Sequence, residues 1–207
     1  MSRHSNIPLL KSTYLWAVVN LIITLVGIFF LHWSLQPIIY LFWLEVILNV
    51  VSALIRAMGA MDGKPFFETL KQKIFLLLAG TVMGVAMIML TVTFTIGVFE
   101  DFDFESFAGI QEAVLALAGN YVLALLLNFF FNGRFRKANP VAELISTLIY
   151  LLILLVIIMV ITQHLIPSLN LENNAMWIGL AIIGIKFLVD FLASYFKTPL
   201  FKTESVR

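Results

Sequence analysis

The chain lacks cysteine and has few histidines, and these absences exclude several kinds of site. With no cysteine among 207 residues, disulfides, thiolate metal sites and cysteine nucleophiles are impossible. Only three histidines occur, and their positions do not have metal-ligand spacing. Neither an H-E-x-x-H sequence nor a glycine-rich phosphate loop is present. We therefore expect no cofactor and no catalytic site, and a lipid-modifying enzyme is the least favoured class of function.

Charged residues are also scarce, while apolar residues are abundant. Charged residues make up 12% of the chain, against about 25% in an average globular domain. Apolar residues reach 61%, against about 45–50% in such a domain. A soluble fold of 207 residues has too much surface to bury this apolar fraction. The composition therefore predicts a protein embedded in a lipid bilayer.

Six apolar stretches have the length of about 20 residues that a membrane-spanning helix needs. They cover roughly residues 14–35, 37–58, 74–99, 110–131, 144–163 and 175–196. We therefore predict an all-α fold, a polytopic transmembrane helix bundle that forms one domain over residues 1–207.

Positive charge alternates along the connections between these stretches. Twelve of the thirteen lysines and arginines lie before the first span, after the sixth, or in the second and fourth connections, if Arg56 at the end of the second span is counted with the second connection. The three other connections hold none, and Lys186 lies inside the sixth span. Because lysine and arginine stay on the cytoplasmic side, this pattern predicts the inner membrane with both termini cytoplasmic. Contact with anionic headgroups explains the basic residues, so we expect no nucleic-acid partner.

Two connections have distinctive composition. Residues 59–73 place Phe66, Phe67 and Leu70 on one face and charged residues around the rest, which predicts a short interfacial amphipathic helix between spans 2 and 3. The outer connection over 100–107 reads EDFDFESF, which we interpret as a solvated acidic loop or as a vestibule that attracts cations.

Ionisable residues inside spans are costly, and they normally face the interior of the bundle. In the second span, steps of four, three and four residues place four polar side chains on one face: Glu45, Asn49, Ser52 and Arg56. The sixth span carries Lys186 and Asp190 one turn apart. Depth along the two helices predicts that Glu45 pairs with Lys186 and that Asp190 reaches toward Arg56.

These charges have two interpretations. They form either a structural ladder of ion pairs that fixes helix neighbours, or a path for protons or ions. Two acids against two bases favour the structural ladder, whereas a water-filled cavity that reaches Glu45 or Asp190 would favour transport.

Other polar and small residues indicate helix packing. Asn120 and Asn128 in the fourth span predict interhelical amide hydrogen bonds, and Glu143 at the start of the fifth span interacts with the helix dipole. Gly80 and Gly84 have the G-x-x-x-G spacing that is typical of close helix packing.

Three segments together resemble a known family. They are YLFWLEVILNVVSALIRAM at 40–58, NFFFNGRFRKANP at 128–140 and GIKFLVDFLASYF at 184–196. They resemble an uncharacterised family of small six-span bacterial inner-membrane proteins. Its motif residues correspond here to Tyr40, Trp43, Glu45, Asn49 and Arg56, with Lys186 and Asp190 as the pair of the last span. The resemblance implies the fold and this polar pair, and it implies no activity.

Two classes of function remain. The favoured one is a non-catalytic membrane subunit or scaffold that binds a partner membrane protein, a second copy of itself or lipid. The alternative is a small oligomeric transporter or channel that uses Glu45, Lys186 and Asp190.

Overall fold

Long α-helices make up most of the chain that the computed structural model describes, which is residues 12–33, 35–96, 110–160 and 171–196. There are six of them, and these residues contain no strand. The helices are α1 (Ser12–Phe30), α2 (Leu35–Gly59), α3 (Leu70–Ile96), α4 (Gln111–Leu125), α5 (Pro140–Val160) and α6 (Leu171–Phe196). The predicted all-α class is confirmed, and each helix coincides with one predicted apolar stretch. The acidic segment 100–107 lies outside the described residues.

Within the described residues, four helices are long and apolar enough to cross a membrane. They cover Gln36–Gly59, Phe67–Phe94, Gln111–Phe131 and Pro140–Val160. A shorter apolar helix, Ala17–Phe30, lies within α1. The helix Gln111–Phe131 consists of α4 and a π-helical segment, Leu126–Phe131, that continues it.

α2 is the central helix of the bundle. It packs against α3, α4, α5 and α6. Around it, contacts run from α3 to α5, then to α6, α1 and finally α4, so that the other five helices form an open arc. The largest buried cluster joins Phe42, Val46 and Val50 of α2 to Leu151 and Leu154 of α5. This position gives α2 two distinct faces, one toward the interior of the arc and one toward its opening.

The glycine spacing in α3 produces the close packing that it predicted. A Cβ atom at Gly84 would lie 2.4 Å from Cγ1 of Val50, and one at Gly80 would lie 2.8 Å from Cδ2 of Leu54. Both contacts are shorter than any side chain tolerates, so only glycine lets α3 approach α2 at this distance.

The segment between α2 and α3 differs from the prediction of a separate amphipathic helix over 59–73. α2 continues to Gly59, a single 3₁₀ turn covers Phe66–Thr69, and α3 begins at Leu70. Contacts with a distant part of the chain explain this difference. Backbone N–H groups of residues 61–63 donate to carbonyls of residues 135–138 over 2.8–3.0 Å, which holds this connection against the one between α4 and α5. We call residues 61–64 and 133–138 together the basic platform.

A buried polar network as the candidate functional site

Glu45 lies at the centre of a polar network in the middle of the bundle. Its side chain is 8% exposed, and its Oε2 lies 2.6 Å from Nζ of Lys186. Its Oε1 accepts a hydrogen bond of 2.7 Å from Nδ2 of Asn20 on α1. The predicted pair of Glu45 and Lys186 is therefore confirmed. The similar depth of the two residues along their helices was enough to predict the pair, because α2 and α6 are adjacent and both charges need a buried partner.

Asp190 has different partners from those predicted. Its Oδ2 lies 2.9 Å from Nζ of Lys186, and its Oδ1 accepts a hydrogen bond from the hydroxyl of Tyr150 on α5. The predicted approach to Arg56 is wrong. Asp190 lies one turn from Lys186 on the same helix face, so the lysine ammonium is closer to it than any group at the end of α2.

Arg56 pairs with the start of α5 instead. Its Nε donates to Oε2 of Glu143 over 3.0 Å, and one of its terminal nitrogens donates to Oγ1 of Thr147 over 3.2 Å. Eleven residues separate Arg56 from Glu45 on α2, which is about 16 Å of helix. Arg56 is therefore level with the first turn of α5, where Glu143 lies. The acid that was predicted to interact with the helix dipole also forms an ion pair.

The network extends beyond the charged residues to other helices. The side-chain amide of Asn120 on α4 donates to Oδ1 of Asn20, which in turn bonds Glu45. One continuous chain of six side chains therefore joins five helices: Asn120, Asn20, Glu45, Lys186, Asp190 and Tyr150. Among the six helices only α3 contributes no side chain to it. Such a chain determines both the neighbours and the rotation of the helices that it joins.

The remaining predicted residues lie around this chain. Asn49 donates to the hydroxyl of Tyr121 on α4 over 2.9 Å and to the carbonyl of Glu45 over 3.0 Å. Ser52 is buried on the same face of α2, and Asn128 is half-buried in the π-helical segment. Within the described part of the molecule, neither Ser52 nor Asn128 joins the chain of hydrogen bonds.

Sequence reasoning missed three members of the network. Asn20 was visible in principle, because it is a lone amide in the middle of an otherwise apolar span. Tyr121 and Tyr150 carried no comparable signal, because tyrosines in membrane helices are usually found at the membrane interface rather than at buried acids.

A cavity of about 30 Å³ adjoins the network. That volume is enough for about one or two water molecules. Polar side chains of α1, α2 and α6 line it, and apolar side chains of these helices and Leu117 of α4 complete the wall. The polar members are Asn20, Thr24, Glu45, Lys186 and Asp190. The buried charges therefore border a space that can hold water.

The charges around the cavity are not balanced. Arg56 is engaged by Glu143, so that Glu45 and Asp190 share the single ammonium of Lys186. The sequence suggested two acids against two bases, whereas the cavity has two against one. With all three groups ionised, the cluster carries one net negative charge in a region where an uncompensated charge is expensive. A proton or a small cation in the cavity would remove that excess.

No group of three or more histidine, aspartate or glutamate side chains in the described ranges is able to hold a metal ion. The fold and the network together define an all-helical protein with several helices able to cross a membrane around a buried ionic cluster. The chain belongs to DUF6498, a family of unknown function, which matches residues 3–205. The family agrees with the resemblance to an uncharacterised family without an assigned activity. No curated protein and no solved structure matches the chain.

Proposed function

We propose that the chain crosses the cytoplasmic (inner) membrane six times, with both termini on the cytoplasmic side. The six helices coincide with the six apolar stretches, and the lysines and arginines alternate between connections, which supports this topology. Because the chain has no cysteine, a single introduced cysteine is a unique label. An impermeant maleimide should label Glu105→Cys from outside, and Asp62→Cys only after the membrane is opened. Labelling of both from one side would contradict the topology.

We further propose that the protein is a small transporter or channel that moves protons or small monovalent cations. The observation that carries this proposal is the cavity bordered by two carboxylates that share one ammonium. The unbalanced carboxylate favours the entry of a cation, because the bound cation neutralises the net charge of the cluster. The volume suits a water-sized species. Glu45 and Asp190 hold the ion in this mechanism, and Lys186 competes with it for both carboxylates.

Reconstitution into liposomes tests this proposal. With a membrane potential imposed by potassium and valinomycin, an internal pH dye reports proton entry, and ion-selective dyes report other cations. We expect wild-type flux above that of empty liposomes. Glu45→Gln and Asp190→Asn should lower it by about tenfold or more, because each removes an ion-holding carboxylate. Glu112→Gln is the matched control, since Glu112 is an exposed acid outside the cavity. Wild-type flux equal to that of empty liposomes would refute transport of these ions.

A second function, the non-catalytic subunit or scaffold, is favoured by a different observation. Each carboxylate oxygen of Glu45 and Asp190 has a hydrogen-bond or ion-pair partner, as in a network whose role is to hold helices together. In that case the activity belongs to a partner membrane protein.

Gentle extraction from the native membrane, followed by mass spectrometry of the co-purifying proteins, tests the subunit role. A fixed stoichiometry with other subunits supports it. A chain that is recovered alone or only with copies of itself contradicts a partner-dependent role and leaves transport as the proposed function.

A further inference from the structure

The outward face of α2 carries an exposed apolar stripe. Ile47, Val51 and Ile55 follow one another at four-residue steps, so they lie along one line of the helix. Their exposure is 39%, 44% and 40%, although α2 is the central helix of the bundle. The stripe is opposite the face that carries Glu45 and Asn49, since the two sets are separated by about half a helical turn.

This stripe forms the floor of a groove between α3 and α4. On one side of the stripe, Val50 packs against Gly84 of α3. On the other side, Leu48 packs against the cluster that contains Leu117 of α4. α3 and α4 stand at the two ends of the helix arc, so the opening of the arc leaves the stripe uncovered within the described chain. From Ile47 to the end of α2 the groove is about 18 Å long.

The basic platform lies directly beyond the end of this groove. Four exposed cations belong to it: Lys64, Arg134, Arg136 and Lys137. None of the four forms an ion pair with a carboxylate of the described residues. The platform contains one acid, Asp62, and it is therefore strongly basic. Its geometry is well defined, because three interloop backbone hydrogen bonds hold the two connections together.

Exposed aromatic rings next to the platform mark the level of a membrane interface. Phe67 is 82% exposed and follows the first half of the platform, and Phe131 is 76% exposed and precedes the second half. Exposed phenylalanines beside lysines and arginines are typical of segments that lie at the boundary between headgroups and acyl chains. The platform cations therefore lie at headgroup depth, and the groove lies at the depth of acyl chains.

We infer that the groove and the platform together bind one anionic phospholipid. An acyl chain lies along Ile47, Val51 and Ile55, and the headgroup phosphate is held by the platform cations. The length supports this occupant, since about 18 Å of groove compares with about 15 Å for one leaflet of hydrocarbon. The charge supports this occupant as well, since each surface lysine or arginine raises the affinity for an anionic lipid by about fivefold. An apolar partner helix explains the stripe but not the basic platform.

The test uses the full-length chain, delipidated in detergent, with native mass spectrometry as the readout. Phosphatidylglycerol and phosphatidylcholine with identical acyl chains are added in turn. We expect one tightly bound phosphatidylglycerol per chain, preferred over phosphatidylcholine by about thirtyfold or more. The double variant Arg134→Gln/Arg136→Gln should lose about thirtyfold in affinity for phosphatidylglycerol and little for phosphatidylcholine. Arg134→Lys/Arg136→Lys, which retains both charges, is the matched control.

A second set of variants tests the groove. Val51→Trp fills it and should abolish binding of both lipids, whereas Ile153→Trp, on the 50% exposed outer face of α5, should leave binding unchanged. If Val51→Trp fails to fold, Ile55→Phe replaces it. Equal affinity of the wild type for the two lipids, unchanged binding after the groove is filled, or displacement of the lipid by inorganic phosphate would each overturn the inference. The last result would indicate a free-anion site.

Discussion

Lys186→Met removes the one ammonium that Glu45 and Asp190 share, and it tests whether this ion cluster stabilises the bundle. The lysine contacts the two acids at 2.6 and 2.9 Å, and all three side chains are at most 16% exposed. Methionine preserves most of the volume but leaves two carboxylates without a cation. Removing one partner of a buried ion pair typically costs about 3–5 kcal/mol. In a protein of this size, that loss lowers the melting temperature by about 6–20 °C.

The assay is thermal unfolding of purified protein in a mild detergent, followed by circular dichroism. Lys64→Met is the matched control, because Lys64 is exposed on the basic platform, and the melting temperature of this variant should change by about 2 °C or less. The triple variant Lys186→Met/Glu45→Gln/Asp190→Asn has no charge in the cluster and should recover most of the loss, since the penalty comes from unpaired charge. A Lys186→Met protein as stable as the wild type, or a triple variant as unstable as the single one, would refute this reasoning.

Three further predictions concern contacts outside the cavity. Arg56→Gln should cost about 1–2 kcal/mol of unfolding free energy, less than a fully buried pair, because the Arg56 and Glu143 side chains are 23% and 20% exposed. In a double-mutant cycle with Glu143→Gln, thermal or denaturant unfolding should show that the two losses of unfolding free energy differ from additivity by about 1 kcal/mol. Additive losses would mean that the ion pair contributes nothing to stability. Gly84→Ala should destabilise the protein by about 1–3 kcal/mol, because the new methyl group meets Val50, whereas Gly119→Ala, with open space at its Cβ, should be neutral or stabilising in the same assay.

Much of the fold follows from the sequence. The six apolar stretches predicted the six helices, and the G-x-x-x-G spacing predicted the close approach of α3 to α2. Helix length and small-residue spacing are properties of one segment, so they are readable without knowledge of the neighbours. The prediction of an amphipathic helix over 59–73 was wrong because the conformation of this segment is not a property of the segment alone. Its conformation depends on backbone hydrogen bonds to residues 135–138, which are more than 70 positions away in the chain.

The candidate site was predictable in part. The pair of Glu45 and Lys186 followed from depth, because buried opposite charges at one level attract each other. The partners of Asp190 and Arg56 did not follow, since they depend on the position of α5. Asn20 and the tyrosines joined the network through the lateral arrangement of helices, which no local pattern encodes.

By itself the sequence determined which residues are helical, which connections carry positive charge, and which polar side chains face inward. Each of these follows from hydrophobic length and from the 3.6-residue period, which act along a single helix. Only the tertiary structure decided which helices are neighbours and how each is rotated. For that reason only the structure revealed that two acids share one lysine beside a cavity, and that Ile47, Val51 and Ile55 are exposed between α3 and α4.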